Sequence, residues 1–286
     1  QLQRFAKLGN LPKLRKINVY ENRIVSLAEL AGLPQLRHLR VDKNQLTDLQ
    51  GVSELPQLRH LYASNNRIQS LVGMANLPEL QVVRLNRNKL VQLDGLIDLP
   101  KLSKIDLSHN QLTSLRSKTT LSSRYDVVLS YNKLKNLDGL ATFRNAKSIR
   151  LNSNPLNDVK GLQALPHLQS LDLSFTHIKN IHTLKGAKRL SDLDASNAKI
   201  AKAAVVLQWK TLTDYDLRSN PLKDLKPSQR TRGHYVPSSY SSSSSSSSYG
   251  SGSGSSSGSY GGSTGSTRSG SFGSRYSTGG GYGGGK

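Results

Sequence analysis

Apolar residues return on a fixed beat along most of this chain. Leu14, Leu36, Leu58, Leu80 and Leu102 are followed by Arg124, Ala146, Leu168, Leu190 and Leu212, all 22 residues apart with no insertion. Three and five residues after each, the chain is nearly always apolar, from Ile17 and Val19 to Tyr215 and Leu217. Ten residues after, it is always Ile or Leu, from Ile24 to Leu222. This period-two stretch predicts one short strand per unit, with its inward side chains entering a core. The second half of a unit reads LxxLxxLP, as in Leu27, Leu30, Leu33 and Pro34. Spacing of three with a closing proline leaves little room for a long α-helix and predicts short 3₁₀ turns or extended segments.

Eight residues after each starting position comes a column of asparagines: Asn22, Asn44, Asn66, Asn88, Asn110, Asn132, Asn154 and Asn220, interrupted by Thr176 and Ala198. A carboxamide carries donors and an acceptor together. At that place it is expected to satisfy backbone groups where the chain turns off the strand inside the core. Each unit buries its apolar face only against its neighbours, as in a solenoid.

The resulting pattern, LxxLxLxxNx(I/L), resembles the leucine-rich repeat over residues 2–225, and its 22-residue period resembles the short-repeat class. The best-known members of that class are regulators of protein phosphatases and the bacterial internalins. The resemblance implies an α/β solenoid: a right-handed superhelix with a parallel β-sheet on the concave face and short 3₁₀ or helical turns on the convex face. It also implies a non-enzymatic protein-binding scaffold. Phosphatase-regulator style would mean a catalytic subunit gripped by acidic and aromatic rows. Internalin style would mean a surface adhesin, although no wall-sorting motif is present. The solenoid is assigned to residues 1–230 and a disordered tail to 231–286.

Three departures qualify the regular pattern. Leu2, Phe5, Leu8 and Leu11 fit the second half of a unit, so an upstream cap or a covering partner is expected at that end. Around "RSKTTLSSRYDVV", Lys118 and Arg124 replace apolar positions and predict an irregularity on the convex side. In "ASNAKIAKAAVVLQWK", Ala195, Ala198 and Ala203 favour a helical turn, and Trp209 takes a Leu position. No closing cap is recognisable in "LKPSQRTRGHYVP".

Charge changes the picture more than composition does. The 286 residues hold 40 Lys and Arg against 18 Asp and Glu, a net charge of +22, which suggests an acidic partner. Without cysteine there is no disulfide, thiolate metal site or thiol nucleophile, and the lack of cysteine-rich caps points to an intracellular compartment. No apolar run approaches the roughly 18 residues of a membrane-crossing helix.

If the columns are scaffold, recognition belongs to the letters between them. One basic set is Arg15, Lys16, Arg37, His38, Arg40, Lys43, Arg59, His60, Arg84 and Arg87, with Tyr20 and Tyr62 interleaved. "LPQLRHL" occurs at 33–39 and again at 55–61, so His38 and His60 share an offset and are expected to stack. An acidic set, Asp172, Asp192, Asp194, Asp214 and Asp216, occupies the last repeats, with Arg218 opposing it and Phe175 nearby. Stacking Asp172, Asp194 and Asp216 in one row sets like charges side by side, a cost that suggests a basic protein partner. No calcium loop or third ligand for the histidines accompanies these groups, so neither metal nor cofactor is expected. No nucleophile has a compelling base, and no G-x-S-x-G or phosphate-binding glycine loop occurs.

From Ser238 the chain turns to Ser, Gly and Tyr, with Arg268, Arg275 and Lys286 and no acid. Such a segment cannot bury enough apolar area to offset its ordering entropy. Beside the basic face it raises an alternative, association with RNA through phosphate contacts and stacking. A phosphorylated tail folding back over that face is a further expectation.

Overall fold

The computed structural model describes residues 1–5, 8, 11–97, 99–117, 121 and 125–233. The tail from Ser238 and the positions Lys118 and Arg124 lie outside the described residues.

Each repeat supplies one three-residue strand: β1 Lys16–Asn18, β2 His38–Arg40, β3 His60–Tyr62, β4 Val82–Arg84, β5 Lys104–Asp106, β6 Asp126–Val128, β7 Ser148–Arg150, β8 Ser170–Asp172, β9 Asp192–Asp194 and β10 Asp214–Asp216. All ten pair in parallel, in sequence order. The register is one repeat per strand, so Ile17, Leu39, Leu61 and Val83 lie side by side, and the column continues to Tyr215. Those middle residues face the core and their flanking neighbours face outward, which is the period-two alternation read from the sequence.

The asparagine column holds successive repeats together. Asn88 Nδ2 donates to the carbonyls of Leu85 and, one repeat back, Ala63, both at 3.0 Å. Its Oδ1 accepts the Ile68 amide at 3.0 Å. Asn44, Asn66, Asn110, Asn132, Asn154 and Asn220 repeat this arrangement. One side chain thus satisfies backbone groups that would otherwise be stranded in the core, each at a penalty of about 1–3 kcal/mol. At Asn22 the Oδ1 accepts the Leu2 amide instead, and Phe5 is buried, so the N-terminal segment acts as a preceding half-repeat.

The opposite side is made of 3₁₀ turns, among them Ala28–Leu30, Val52–Glu54, Leu140–Phe143 and Leu162–Ala164; no α-helix occurs among the described residues. The two longest, His182–Gly186 and Ala204–Gln208, have five residues, and the second is where the alanines favour a turn. Repeats approach so closely here that a Cβ on Gly73, at φ +101°, would run into the backbone of Leu49 and Gln50.

The far end is closed by an element the sequence does not advertise. Pro227–Gln229 forms a 3₁₀ turn, and β11, Thr231–Arg232, comes back antiparallel along β10. Tyr215 Oη donates to Gln229 O at 3.1 Å, and the Leu217 amide donates to Arg230 O at 2.7 Å. Reversal of direction covers an edge that would otherwise present unpaired backbone groups. The signal was weak because two strand residues carry no hydrophobic period.

Candidate functional site

The side chains flanking the core column of the sheet form rows that run across the repeats. The last residue of each strand gives the row Asn18, Arg40, Tyr62, Arg84, Asp106, Val128, Arg150, Asp172, Asp194 and Asp216. The first gives Lys16, His38, His60, Val82, Lys104, Asp126, Ser148, Ser170, Asp192 and Asp214. Basic and acidic candidates therefore do share one face, at opposite ends.

The two ends differ in what remains for a partner. Asp194 and Asp216 are only 6% and 3% exposed. Their carboxylates accept the amides two residues on, Ser196 and Arg218, both at 2.9 Å. Asp172 accepts the Ser174 amide at 3.0 Å and its hydroxyl at 2.7 Å, and buried Asp106 holds Ser108 in the same way. A carboxylate closing such a turn serves the backbone. The sequence did carry the signal, in Asp106-Leu107-Ser108, Asp172-Leu173-Ser174 and Asp194-Ala195-Ser196. Burial pushes the Asp172 carboxyl up to about 6, the Asp194 charge adding to it, while hydrogen bonds from Ser174 oppose the rise. Asp192 is raised too, mainly by burial, and accepts Ser170 Oγ at 2.7 Å. Asp214 accepts Thr213 Oγ1 at 2.7 Å.

At the basic end, charges lie over rings. Arg40 and Lys43 sit over Tyr20 at 4.8 and 5.0 Å from its centroid, and Arg84 over Tyr62 at 5.3 Å. His38 and His60 stack at 4.6 Å with planes 6° apart, and His60 continues to Tyr62 at 6.2 Å. Arg40 pairs with Asp42 at 3.0 Å, Lys43 with Glu21 at 3.6 Å, and Arg59 with Glu79 at 3.7 Å. Arg15 and Arg37 lie just before β1 and β2, and Arg15 is exposed. Among the described residues, no group of three or more His, Asp or Glu is placed to hold a metal ion.

A third row was read only in part from the sequence, which picked out Lys43, Arg87 and Phe175 but not His109 or Tyr131. Where the chain leaves each strand, one residue adopts the left-handed conformation: Glu21, Lys43, Asn65, Arg87, His109, Tyr131, Ser153, Phe175, Asn197 and Ser219. From Glu21 to Asn197 their amides continue the inter-repeat ladder, as in Lys43 to Ser64 O at 2.9 Å and Tyr131 to Asn152 O at 3.0 Å. Bulky residues seldom tolerate positive φ. Tyr131 (φ 56°) and Phe175 (φ 55°) do so while 51% and 59% exposed, forming an aromatic lip beside the sheet with His109.

The asparagine ladder and one-strand-per-22-residue register are those of the leucine-rich-repeat fold. Residues 6–54 and 56–98 match the leucine-rich-repeat model that spans two copies. No curated protein matches by sequence. Among solved structures, an internalin (inlF) of Listeria monocytogenes is 21% identical over 76% of this chain and 70% of its own, with a TM-score of 0.53. A leucine-rich-repeat protein of Leptospira interrogans is 21% identical over 80% of this chain and 66% of its own, at 0.56. A chain of the LRIM1/APL1C complex reaches 0.67, with 21% identity over 79% of this chain and 43% of that one. At such identities the likeness is one of fold.

Proposed function

We propose that this leucine-rich-repeat array is a non-enzymatic protein-binding scaffold that takes an acidic polypeptide segment along the N-terminal half of its sheet. The observation that carries the reading is the asymmetry between the two charged ends. Asp194 and Asp216 are buried and bonded to backbone, whereas Arg37, His38, Arg59 and His60 remain half-exposed on strands with few acids. A phosphatase-regulator mode built on the aspartate row is disfavoured on the same ground. Past that half, beside β6 and β8, Tyr131 and Phe175 extend the surface with the rigid apolar contact area that interface hot spots commonly use.

Acidic protein is favoured over RNA by the state of the rings. At the basic end Tyr62 contacts both Arg84 and His60, and Arg40 and Lys43 sit over Tyr20, so the rings nearest the cationic groups already have stacking partners.

The test is an array of acidic, basic and neutral peptides probed with the full chain. Acidic peptides should be retained, and retention should be lost in Arg37→Glu/Arg59→Glu and in Tyr131→Ala/Phe175→Ala. Retention of basic peptides, lost in Asp192→Lys/Asp214→Lys, would reverse the reading.

A further inference from the structure

Two arginine–histidine pairs from adjacent repeats lie side by side in the basic half. Arg37 and His38 lead into β2, and Arg59 and His60 into β3. His38 and His60 are register partners, so parallel pairing sets corresponding residues about 4.8 Å apart. The imidazoles are stacked face to face at 4.6 Å. Arg37 Nε, Arg59 Nε and His60 Nδ1 are buried and meet no hydrogen-bond partner among the described residues. Charged neighbours reinforce the imbalance. Lys16 faces His38 from β1, and Val82 is the partner of His60 on β4, with Lys104 beyond it on β5. Arg40, Tyr62 and Arg84 form the adjoining row. Among the described residues the acids paired with this group are Glu79, 3.7 Å from Arg59 and also bonded by Lys101, and Asp42, 3.0 Å from Arg40.

We propose that Arg37, His38, Arg59 and His60 receive a tetrahedral dianion, a phosphate monoester carried on the acidic polypeptide partner. This deepens the reading above and rests on it.

Geometry and charge select phosphate over carboxylate. The two coplanar oxygens and single charge of a carboxylate match one guanidinium fork. Two guanidinium groups just ahead of neighbouring strands and two stacked imidazoles, with Arg37 Nε, Arg59 Nε and His60 Nδ1 unpartnered among the described residues, call for more acceptor oxygens and a second negative charge, which a phosphate monoester has. Such a ligand would neutralise stacked like charges that otherwise repel.

Recognition should also sense protons. Burial, then Lys16, Arg59 and Arg37, hold His38 below its ordinary value; burial, then His38 and Arg59, do the same for His60. A bound dianion favours the charged imidazole and raises both. The complex then holds more protons than the unliganded protein in the interval between the two values, so affinity rises as pH falls through it.

Sulfate separates this effect from titration of the ligand, because it stays a dianion from neutral to mildly acidic pH. The full chain is titrated with sulfate while the ring signals of His38 and His60 are followed by NMR. Binding should be about tenfold tighter at pH near 6 than near 8, the scale of one charge-assisted hydrogen bond. Arg37→Gln and Arg59→Gln should each weaken it about tenfold with unchanged melting temperature, and Lys133→Gln should not. His38→Asn/His60→Asn should flatten the pH dependence. A phosphoserine peptide should displace sulfate and exceed inorganic phosphate, which marks the polypeptide as the source of the anion. The same peptide with Glu in place of phosphoserine should bind about tenfold more weakly.

Sulfate that leaves both histidines unmoved, or an equal loss in Lys133→Gln, overturns the proposal. Equal affinity for the Glu peptide overturns it while leaving an acidic-protein face intact. Tighter binding of a single-stranded oligonucleotide than of the phosphopeptide overturns both readings.

Discussion

Tyr131 stacks on His109, ring centroids 4.2 Å apart and planes within 7°, and both residues hold the left-handed backbone conformation. Left-handed backbone costs a non-glycine residue about 1–2 kcal/mol, which asparagine bears more easily. Tyr131→Asn and Phe175→Asn should therefore leave thermal stability unchanged or raise it by up to about 1 kcal/mol. Partner retention on peptide arrays should fall about tenfold. A comparable loss of stability would mean that these rings pack rather than recognise.

Asp172 gives a pH dependence of defined sign. Its folded-state carboxyl is raised from 3.8 to about 6, so between those values the folded protein binds more protons than the unfolded chain. Stability must fall as pH rises through that interval and stay reduced above it. Asp172→Asn retains an acceptor for the Ser174 amide and hydroxyl and removes the charge. The variant should match the parent at pH near 3.5 and exceed it by about 1–3 kcal/mol at pH near 7, discounted because the side chain is half-exposed. Urea unfolding at the two pH values decides it.

Asn88→Ala removes two donors and one acceptor from a buried position at once. The loss should be about 3 kcal/mol or more in chemical denaturation, whereas Asn86→Ala, on the half-exposed face, should cost less than about 1 kcal/mol.

At Gly73 a side chain must displace the backbone of the preceding repeat and adopt φ +101°. Gly73→Ala should destabilise by at least about 2 kcal/mol, while Gly186→Ala, whose added Cβ meets only the Gln163 side chain at 3.6 Å, should be nearly neutral.

Solenoid, strand positions and ladder were legible in the sequence because each is repeated, and repetition averages out local exceptions. Leu39, Ile105 and Leu171 need no context to be read as core. The His38–His60 stack followed from a shared offset alone. What stayed illegible depends on one atom's partner. An aspartate that closes a turn and one that greets a partner have the same letter; the serine two residues after Asp194 was the available cue, and Asp216, followed by Arg218, had none, so both looked available until their burial was known. Left-handed backbone at Tyr131 and Phe175 was hidden because the chain uses no glycine there. The closing strand was missed because its partner, β10, lies fifteen or more residues away and its pairing is backbone to backbone.

Where the ladder loses its asparagines, the array has a seam. Thr176 keeps only the near bond, its hydroxyl donating to Leu173 O at 2.7 Å, and Ala198 has no polar side-chain atom at all. Two successive units therefore lack the amide that reaches back one repeat, and in a chain of nearest-neighbour couplings cooperativity breaks where a coupling is weakest. Residues 176–233 should open as a separate foldon, exchanging amide hydrogens ahead of the Asn44–Asn132 stretch. Ala198→Asn should fuse the two transitions into one.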